Sequence, residues 1–269
     1  EKTLPPEIQA NLDKKYHLDE PLIQQYGRYL LDLTQGDFGP SFQYKDYSVN
    51  ELIAQGFPVS LRLGGTAIIL AFFIGALLGT IAALRQNTTT DYTVMAAAMT
   101  GISIPNFVLA PLLILLFAVH LQWLPAGGWN DGAFLNTVLP IIALTLPYVA
   151  YISRLMRSSM IEVLRSNAIR TARAKGLPER TIILRHALKP ALLPVISFLG
   201  PATAGIITGS VVIEQIFGIP GIGRYFVQGA LNRDYTLVMG VVVFYGVLII
   251  AFNFIVDVVY ALLDPKIRY

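Results

Sequence analysis

The 269-residue chain has no cysteine, and charged residues make up only 14% of it. The first absence excludes disulfides, zinc ribbons, thiolate clusters and a catalytic thiol. The second leaves roughly half the charge of an ordinary soluble domain. So little charge excludes a disordered chain and a nucleic-acid surface built from dense basic patches. Histidine is scarce too. His17, His120 and His186 fall on an outer extension, an outer helix end and a basic loop, so they cannot meet as metal ligands. HExxH, GxSxG and paired carboxylates are missing from the apolar runs, and GxxxxGK[ST] is missing altogether. If this chain serves active transport, the energy comes from another subunit.

What is present is apolar. Five runs carry no charged side chain: Leu63–Leu84, Tyr92–Gln122, Ala133–Ser153, Ala191–Ile213 and Tyr235–Val256. About 20 apolar residues cross a hydrocarbon core as a helix, so each run is long enough to span. Hydrophobic residues make up 54% of the chain and its mean hydropathy is +0.58, which fits a multi-pass membrane protein. The third run is the weakest because Pro140 and Pro147 interrupt it, although prolines are tolerated in such helices.

Lysine and arginine placement sets orientation. Nine of the 20 basic residues lie in one segment: Arg154, Arg157, Arg165, Arg170, Arg173, Lys175, Arg180, Arg185 and Lys189. That segment holds only two acids, Glu162 and Glu179, whereas the Trp123–Asn136 loop has no basic residue. The basic loop is therefore expected to be cytoplasmic, together with the carboxyl end. Counting back places residues 1–57, with nine acids against five bases, outside. An outer amino end leads us to expect a further membrane helix before Glu1, giving six spans.

The outer segment reads as a polar, partly helical extension with turn signals at Leu4-Pro5-Pro6, Glu20-Pro21, Gly36-Asp37 and Gly39-Pro40. It is either a solvated cap or a docking surface. Gly75-Ala-Leu-Leu-Gly79 and Gly205-Ile-Ile-Thr-Gly209 have the GxxxG spacing that lets helices approach closely. Pro105, Pro111, Pro194 and Pro201 are candidate kinks. Trp123 and Trp129 flank Pro125-Ala-Gly-Gly128 at a span end, as interfacial anchors do. Gly218-Ile-Pro-Gly-Ile-Gly223 resembles a phosphate loop in composition alone. It follows a membrane helix rather than a strand, so it reads as a structured turn.

The basic loop holds Asn167-Ala-Ile-Arg-Thr-Ala-Arg-Ala-Lys-Gly176-Leu-Pro178-Glu-Arg-Thr-Ile-Ile-Leu-Arg-His186-Ala-Leu188. Two short helices are expected, the first ending at a left-handed Gly176 and the second starting at Pro178. Ile182, Ile183 and Leu184 would give the second an apolar face. Such a knob suits insertion into a partner's groove.

This run resembles the EAA loop of the permeases of binding-protein-dependent ABC importers. Aligned on Gly176, its residues Ala172, Gly176 and Leu188 match the general pattern, and Arg170 stands where that pattern has glutamate. Ala172-Arg-Ala-Lys-Gly176 followed by Arg185-His-Ala-Leu-Lys-Pro190 is similar to the peptide and nickel branch, as is Val212-Ile-Glu214-Gln-Ile-Phe-Gly-Ile-Pro-Gly-Ile-Gly223. Leu231-Asn-Arg-Asp-Tyr235 fits the same branch. Thr3-Leu-Pro-Pro6, Lys15-Tyr-His-Leu18, Gly36-Asp-Phe-Gly-Pro-Ser41, Tyr44-Lys-Asp-Tyr-Ser48 and Asp264-Pro-Lys-Ile-Arg-Tyr269 resemble B-type permease subunits of bacterial oligopeptide importers.

The resemblance implies an all-α type I importer transmembrane domain at 58–262, preceded by a periplasmic extension at 1–57 and followed by a cytoplasmic tail at 263–269. It implies a cytoplasmic coupling loop at 154–190, with Ala172, Arg173, Ala174, Lys175, Gly176, Leu177 and Pro178 at the ATPase contact. It also implies a loop facing the binding protein, with Glu214, Gly218, Pro220, Gly221 and Gly223. The implied partners are a homologous C permease subunit, two cytoplasmic ATPase subunits carrying ATP and magnesium, a periplasmic peptide-binding protein, and the bilayer. No nucleic acid, no metal and no cofactor of its own is expected. Within the family the alternative is a dipeptide or nickel permease. Outside it stand an ion-coupled carrier, disfavoured because no ionisable group is expected at mid-depth, and a polytopic enzyme.

Overall fold

Ser48 starts the longest helix by a reciprocal cap. Its side chain accepts from the Glu51 backbone N–H at 3.2 Å, and the Glu51 carboxylate accepts from the Ser48 N–H at 2.8 Å. The structure, a computed structural model, describes residues 19–44 and 46–263. The resemblances quoted at Thr3–Pro6, Lys15–Leu18 and Asp264–Tyr269, and the turn at Pro5-Pro6, lie outside those residues.

A short amphipathic helix, α1 (Leu22–Thr34), precedes that long helix, α2 (Val49–Leu84). Next come α3 (Thr89–Ser103) and α4 (Asn106–His120), then α5 (Phe134–Leu164) and α6 (Asn167–Ala174). A lead-in of Glu179–Thr181 and a π-helical turn, Ile182–Ala187, runs into α7 (Leu188–Gly209). The chain closes with α8 (Val211–Phe217), α9 (Ile222–Leu231) and α10 (Tyr235–Leu263). Among the described residues the only strand-like pairing is an isolated bridge between Pro40 and Ser48.

Four helical runs are long and apolar enough to cross a membrane: Val49–Leu84, Phe134–Leu164, Glu179–Phe217 and Tyr235–Leu262. The fifth expected span is broken. Thr89–Ser103 and Asn106–His120 meet at 101°. Pro105 dictates the break, because a proline ring crowds the preceding residue out of the helical region. Ile104 is accordingly extended, with φ −100° and ψ 116°. The other candidate kinks do not end their helices: Pro111 lies inside α4, and Pro194 and Pro201 inside α7. The third run, read as the weakest, is an uninterrupted helix through Pro140 and Pro147.

The helices outrun the charge-free segments. α2 begins at Val49 rather than Leu63, and α5 continues past Ser153 to Leu164, since a helix can leave the hydrocarbon and still be paid by its own hydrogen bonds. The expected second short helix of the basic loop is also revised. Residues 179–187 are the first turns of the fourth span, not a separate helix.

Packing centres on α2 against α5. Gly75 and Gly79 lie at that crossing. A Cβ at Gly75 would stand 2.8 Å from the Ile152 side chain, and one at Gly79 would stand 2.7 Å from Met156 Cβ and 3.0 Å from the Arg157 backbone nitrogen. The second GxxxG differs, for a Cβ at Gly205 would meet only the Tyr148 hydroxyl, at 3.4 Å. Gly79→Val should therefore cost about 3 kcal/mol by forcing the helices apart, and Gly205→Ala should be close to neutral. Thermal unfolding of the purified chain in detergent ranks the two variants, and equal midpoints would refute the assignment.

Three buried clusters follow the bundle axis. At the end expected to be outer, opposite the basic loop, Val49, Leu52 and Ile53 pack with Ile222, Leu237 and Val241. Mid-bundle, Leu63, Leu139, Ile206 and Phe217 join α2, α5, α7 and α8. At the basic end Met156 and Met160 of α5 pack with Ile169 and Ala172 of α6 and with Ile182.

Candidate functional site

The basic-end knob is built on its buried root. Ile169 and Ala172 are buried in one cluster with Met156 and Met160 of α5 and with Ile182, so α6 is seated on the turn that opens the fourth span as well as beneath the tail of α5. Its end follows from Gly176, which adopts φ +75°. The Gly176 N–H donates to the Arg173 carbonyl at 2.9 Å and the Leu177 N–H donates to the Ala172 carbonyl at 3.3 Å. Those two bonds make a Schellman turn, closing orphan carbonyls at the helix end. Arg173, Ala174, Lys175, Gly176 and Pro178 are exposed and Leu177 half-buried, whereas Ala172 is turned inward. Arg173 pairs with Glu179 at 2.8 Å across the turn, which holds its guanidinium more firmly charged than usual. Both partners are exposed, so the pair shapes the knob more than it stabilises it.

The outer glycine-rich turn repeats the device. Gly218, at φ +65°, ends α8. Its N–H donates to Gln215 at 3.4 Å, and the Ile219 N–H donates to the Glu214 carbonyl at 2.8 Å. Each turn is then followed by Gly-x-Pro spacing, Gly176-Leu-Pro178 and Gly218-Ile-Pro220.

Inside this turn lies Glu214, fully buried. Ser60 of α2 donates to its Oε1 at 2.6 Å and Ser210 does so at 2.5 Å. The backbone N–H groups of Gly223 and Arg224, at the start of α9, reach its carboxylate as well. The Ile222 N–H in turn donates to Ser60 Oγ at 3.0 Å. The loop that resembles a phosphate cradle in composition thus closes around the protein's own Glu214 carboxyl group, at a helix N-terminus. Of the residues expected to face a binding protein, Glu214, Gly221 and Gly223 are buried; Gly218 is exposed and Pro220 half-buried. Burial of Glu214 under the loop removes it from that contact surface. The Pro125-Ala-Gly-Gly128 turn docks here too, with the Gly128 N–H donating to the Phe217 carbonyl at 2.7 Å. Trp129 beside it lies under the Arg62 guanidinium, 5.5 Å from its ring centre.

Asp234 ties the outer extension down. It is fully buried and caps α10 by accepting from the Leu237 N–H at 3.1 Å. Its other oxygen accepts from the Ser41 hydroxyl at 2.5 Å and the Gln43 N–H at 3.0 Å. Burial works against its ionised form, yet these hydrogen bonds hold its carboxyl below the usual range. A carboxyl depressed in the folded state stabilises fully above its unfolded value of about 3.9 and loses that contribution as pH falls through the folded value. The extension should therefore loosen from its seat only below about pH 4. Limited acid-protease cleavage between residues 36 and 48, followed against pH, measures this. An Asp234→Asn variant should be cleaved readily at every pH.

A third buried acid was not anticipated either. Asp91, fully buried in the first turn of α3, accepts both Nε and Nη2 of Arg157 on α5, each at 2.6 Å. The Asn87 N–H completes its shell at 2.9 Å.

A family model described as "Binding-protein-dependent transport system inner membrane component" matches residues 75–269. The chain belongs to that family. It is a multi-pass permease subunit of the inner membrane and not itself an enzyme. All 269 residues align at 64% identity with the oligopeptide transport system permease protein OppB of Escherichia coli, covering 88% of that protein. The dipeptide transport system permease protein DppB of Bacillus subtilis is 52% identical over 261 residues, 97% of this chain and 84% of that one. Among solved structures, the inward-facing MetNI methionine ABC transporter gives a TM-score of 0.67 at 20% identity, covering 79% of this chain and 96% of that one. The fold is that of an ABC importer transmembrane domain.

Proposed function

We propose that this permease subunit passes oligopeptides from a periplasmic binding protein across the inner membrane. The observation that carries the substrate is identity of 64% over all 269 residues to a permease named for oligopeptides, against 52% over 261 to one named for dipeptides. ATP is hydrolysed, on this reading, by two cytoplasmic ATPase subunits that bring ATP and magnesium, and a homologous C permease subunit completes the pathway. The knob from Arg173 to Pro178 is the ATPase contact, and Gly176 shapes it. Ala172 supports that contact from beneath rather than touching the partner. At the other end Gly218 and Pro220 offer the surface nearest the binding protein, with Glu214, Gly221 and Gly223 as its foundation.

Uptake of labelled di-, tri- and pentapeptides, with and without this gene and before and after ATP depletion, tests the reading. ATP-dependent loss of tri- and pentapeptide uptake on deletion is the expected result. Loss confined to dipeptides would move the substrate to the sister branch, and uptake that follows an ion gradient instead would overturn ATP-driven import.

A further inference from the structure

Of the three fully buried acids among the described residues, two are accounted for at the outer end. Asp91 is at the other end, and its surroundings give it a different task. Its carboxylate joins the start of α3 to α5 through both oxygens, in the two-pronged geometry that fixes direction as well as distance. Arg157 is held in place on its own side too. Gly79 of α2 approaches so closely that a Cβ there would stand 3.0 Å from the Arg157 backbone nitrogen. A second link lies beyond it, where Arg165 donates to Gln86 Oε1 at 3.1 Å.

The pair thus sits between two bodies. One is the tail of α5 with α6, joined through a buried cluster of Met156, Met160, Ile169 and Ala172 that Ile182 of the next span completes. The other is the α2–α3 turn and α3, the first arm of the span broken at Pro105. Apart from its close packing along α5, with Gly101 against the Leu146 carbonyl, α3 is directed at this end by Asp91.

We propose that the Asp91–Arg157 pair is a strut that transmits displacement of the α6 knob to α3, and so to the bent α3–α4 span, making both positioning residues for coupling ATP hydrolysis to peptide passage. This rests on the ABC importer reading given above. Breaking the strut leaves α3 held to α5 only by its packing farther along, so the start of α3 no longer follows the knob and hydrolysis continues while peptide passage falls.

The test uses the complete transporter in proteoliposomes, with the binding protein and a tripeptide supplied. Asp91→Asn, Arg157→Gln and the double variant are compared for assembly with the ATPase subunits, ATP hydrolysis, and peptides moved per ATP. Arg157→Gln leaves the buried Asp91 carboxylate without its partner, so a fall in assembly there is expected from burial alone, whereas Asp91→Asn leaves a guanidinium that water partly reaches. The double variant leaves no orphan charge and separates the two roles. It is expected to assemble and hydrolyse ATP normally, yet to move about tenfold fewer peptides per ATP, the size of an ordinary coupling between sites. Recovery of the wild-type ratio in the double variant would overturn the strut and leave a merely structural pair. So would a double variant that fails to assemble. If the unaltered complex moves no peptide with ATP, the importer reading fails instead, which the wild-type arm shows by itself.

Discussion

Gly176→Asp should abolish ATP-driven peptide uptake while the chain still inserts and reaches its normal level in the membrane. The two halves of that expectation have separate causes. A Cβ at Gly176 would have nothing within 4 Å, so there is no clash to unfold the loop. The cost comes from φ +75° alone. An ordinary L-residue is strained there by about 1–2 kcal/mol, and aspartate is among the few that tolerate the region. The Schellman bonds from Gly176 and Leu177 can therefore still form. What changes is the surface: a carboxylate replaces bare backbone at the tip of an exposed turn whose neighbours are Arg173 and Lys175. On the proposed ATPase contact, a groove that takes a slim, cationic knob would meet bulk and the opposite charge. Gly176→Asn, similar in shape and uncharged, should keep more uptake than Gly176→Asp, whereas Gly176→Val should lose the turn itself because a β-branched residue does not accept positive φ. Uptake assays beside immunoblots of membranes distinguish these cases. Normal uptake by Gly176→Asp would remove the turn from the ATPase contact.

The sequence made Gly176 legible because its signal is local. Glycine after a helical run with proline two residues on specifies a turn without any knowledge of the rest of the chain. The five apolar runs were legible for a similar reason, since a bilayer imposes a length on each segment separately. The end of each helix was not, although Ser48-Val-Asn-Glu51 carried a capping box that would have placed the start of α2. The break at Pro105 was read only as one candidate among four prolines. Proline removes one hydrogen bond at each site, and whether the helix resumes in line is decided by what packs around it. The buried acids were hardest to see. Asp91 finds Arg157 66 positions away and Asp234 finds Ser41 across 193, and nothing in the local pattern marks either residue as buried. In physical terms all three acids share one rule. Each is satisfied beside the start of a helix (Asp91 in α3, Glu214 at α9, Asp234 at α10), where N–H groups left without a partner inside the helix need an acceptor. Acids flanking apolar helices at such positions are the signal that could have found them.

Glu214→Ala should be the most destabilising single change at the outer end, by about 4 kcal/mol, read as a fall of about 10 °C in the unfolding midpoint. Truncation removes the acceptor shared by Ser60, Ser210 and the start of α9. The hydroxyls can turn elsewhere; Ser210 already lies 3.3 Å from the Ile207 carbonyl. The N–H groups of Gly223 and Arg224 cannot, because they are fixed in the first turn of a helix. Glu214→Gln keeps the shape and one acceptor, so about half that loss is expected. The glycines around this carboxylate offer a sharper check. A Cβ at Gly221 would stand 2.5 Å from Glu214 Oε1, so Gly221→Ala alone should be severe. Its severity depends on the carboxylate being there. Combined with Glu214→Ala, the added methyl enters vacated space, and the double variant should be less destabilised than the sum of the two singles, by more than 1 kcal/mol if the contact is direct. Strictly additive losses would mean that Gly221 is required for its backbone alone, and that the loop does not close around Glu214.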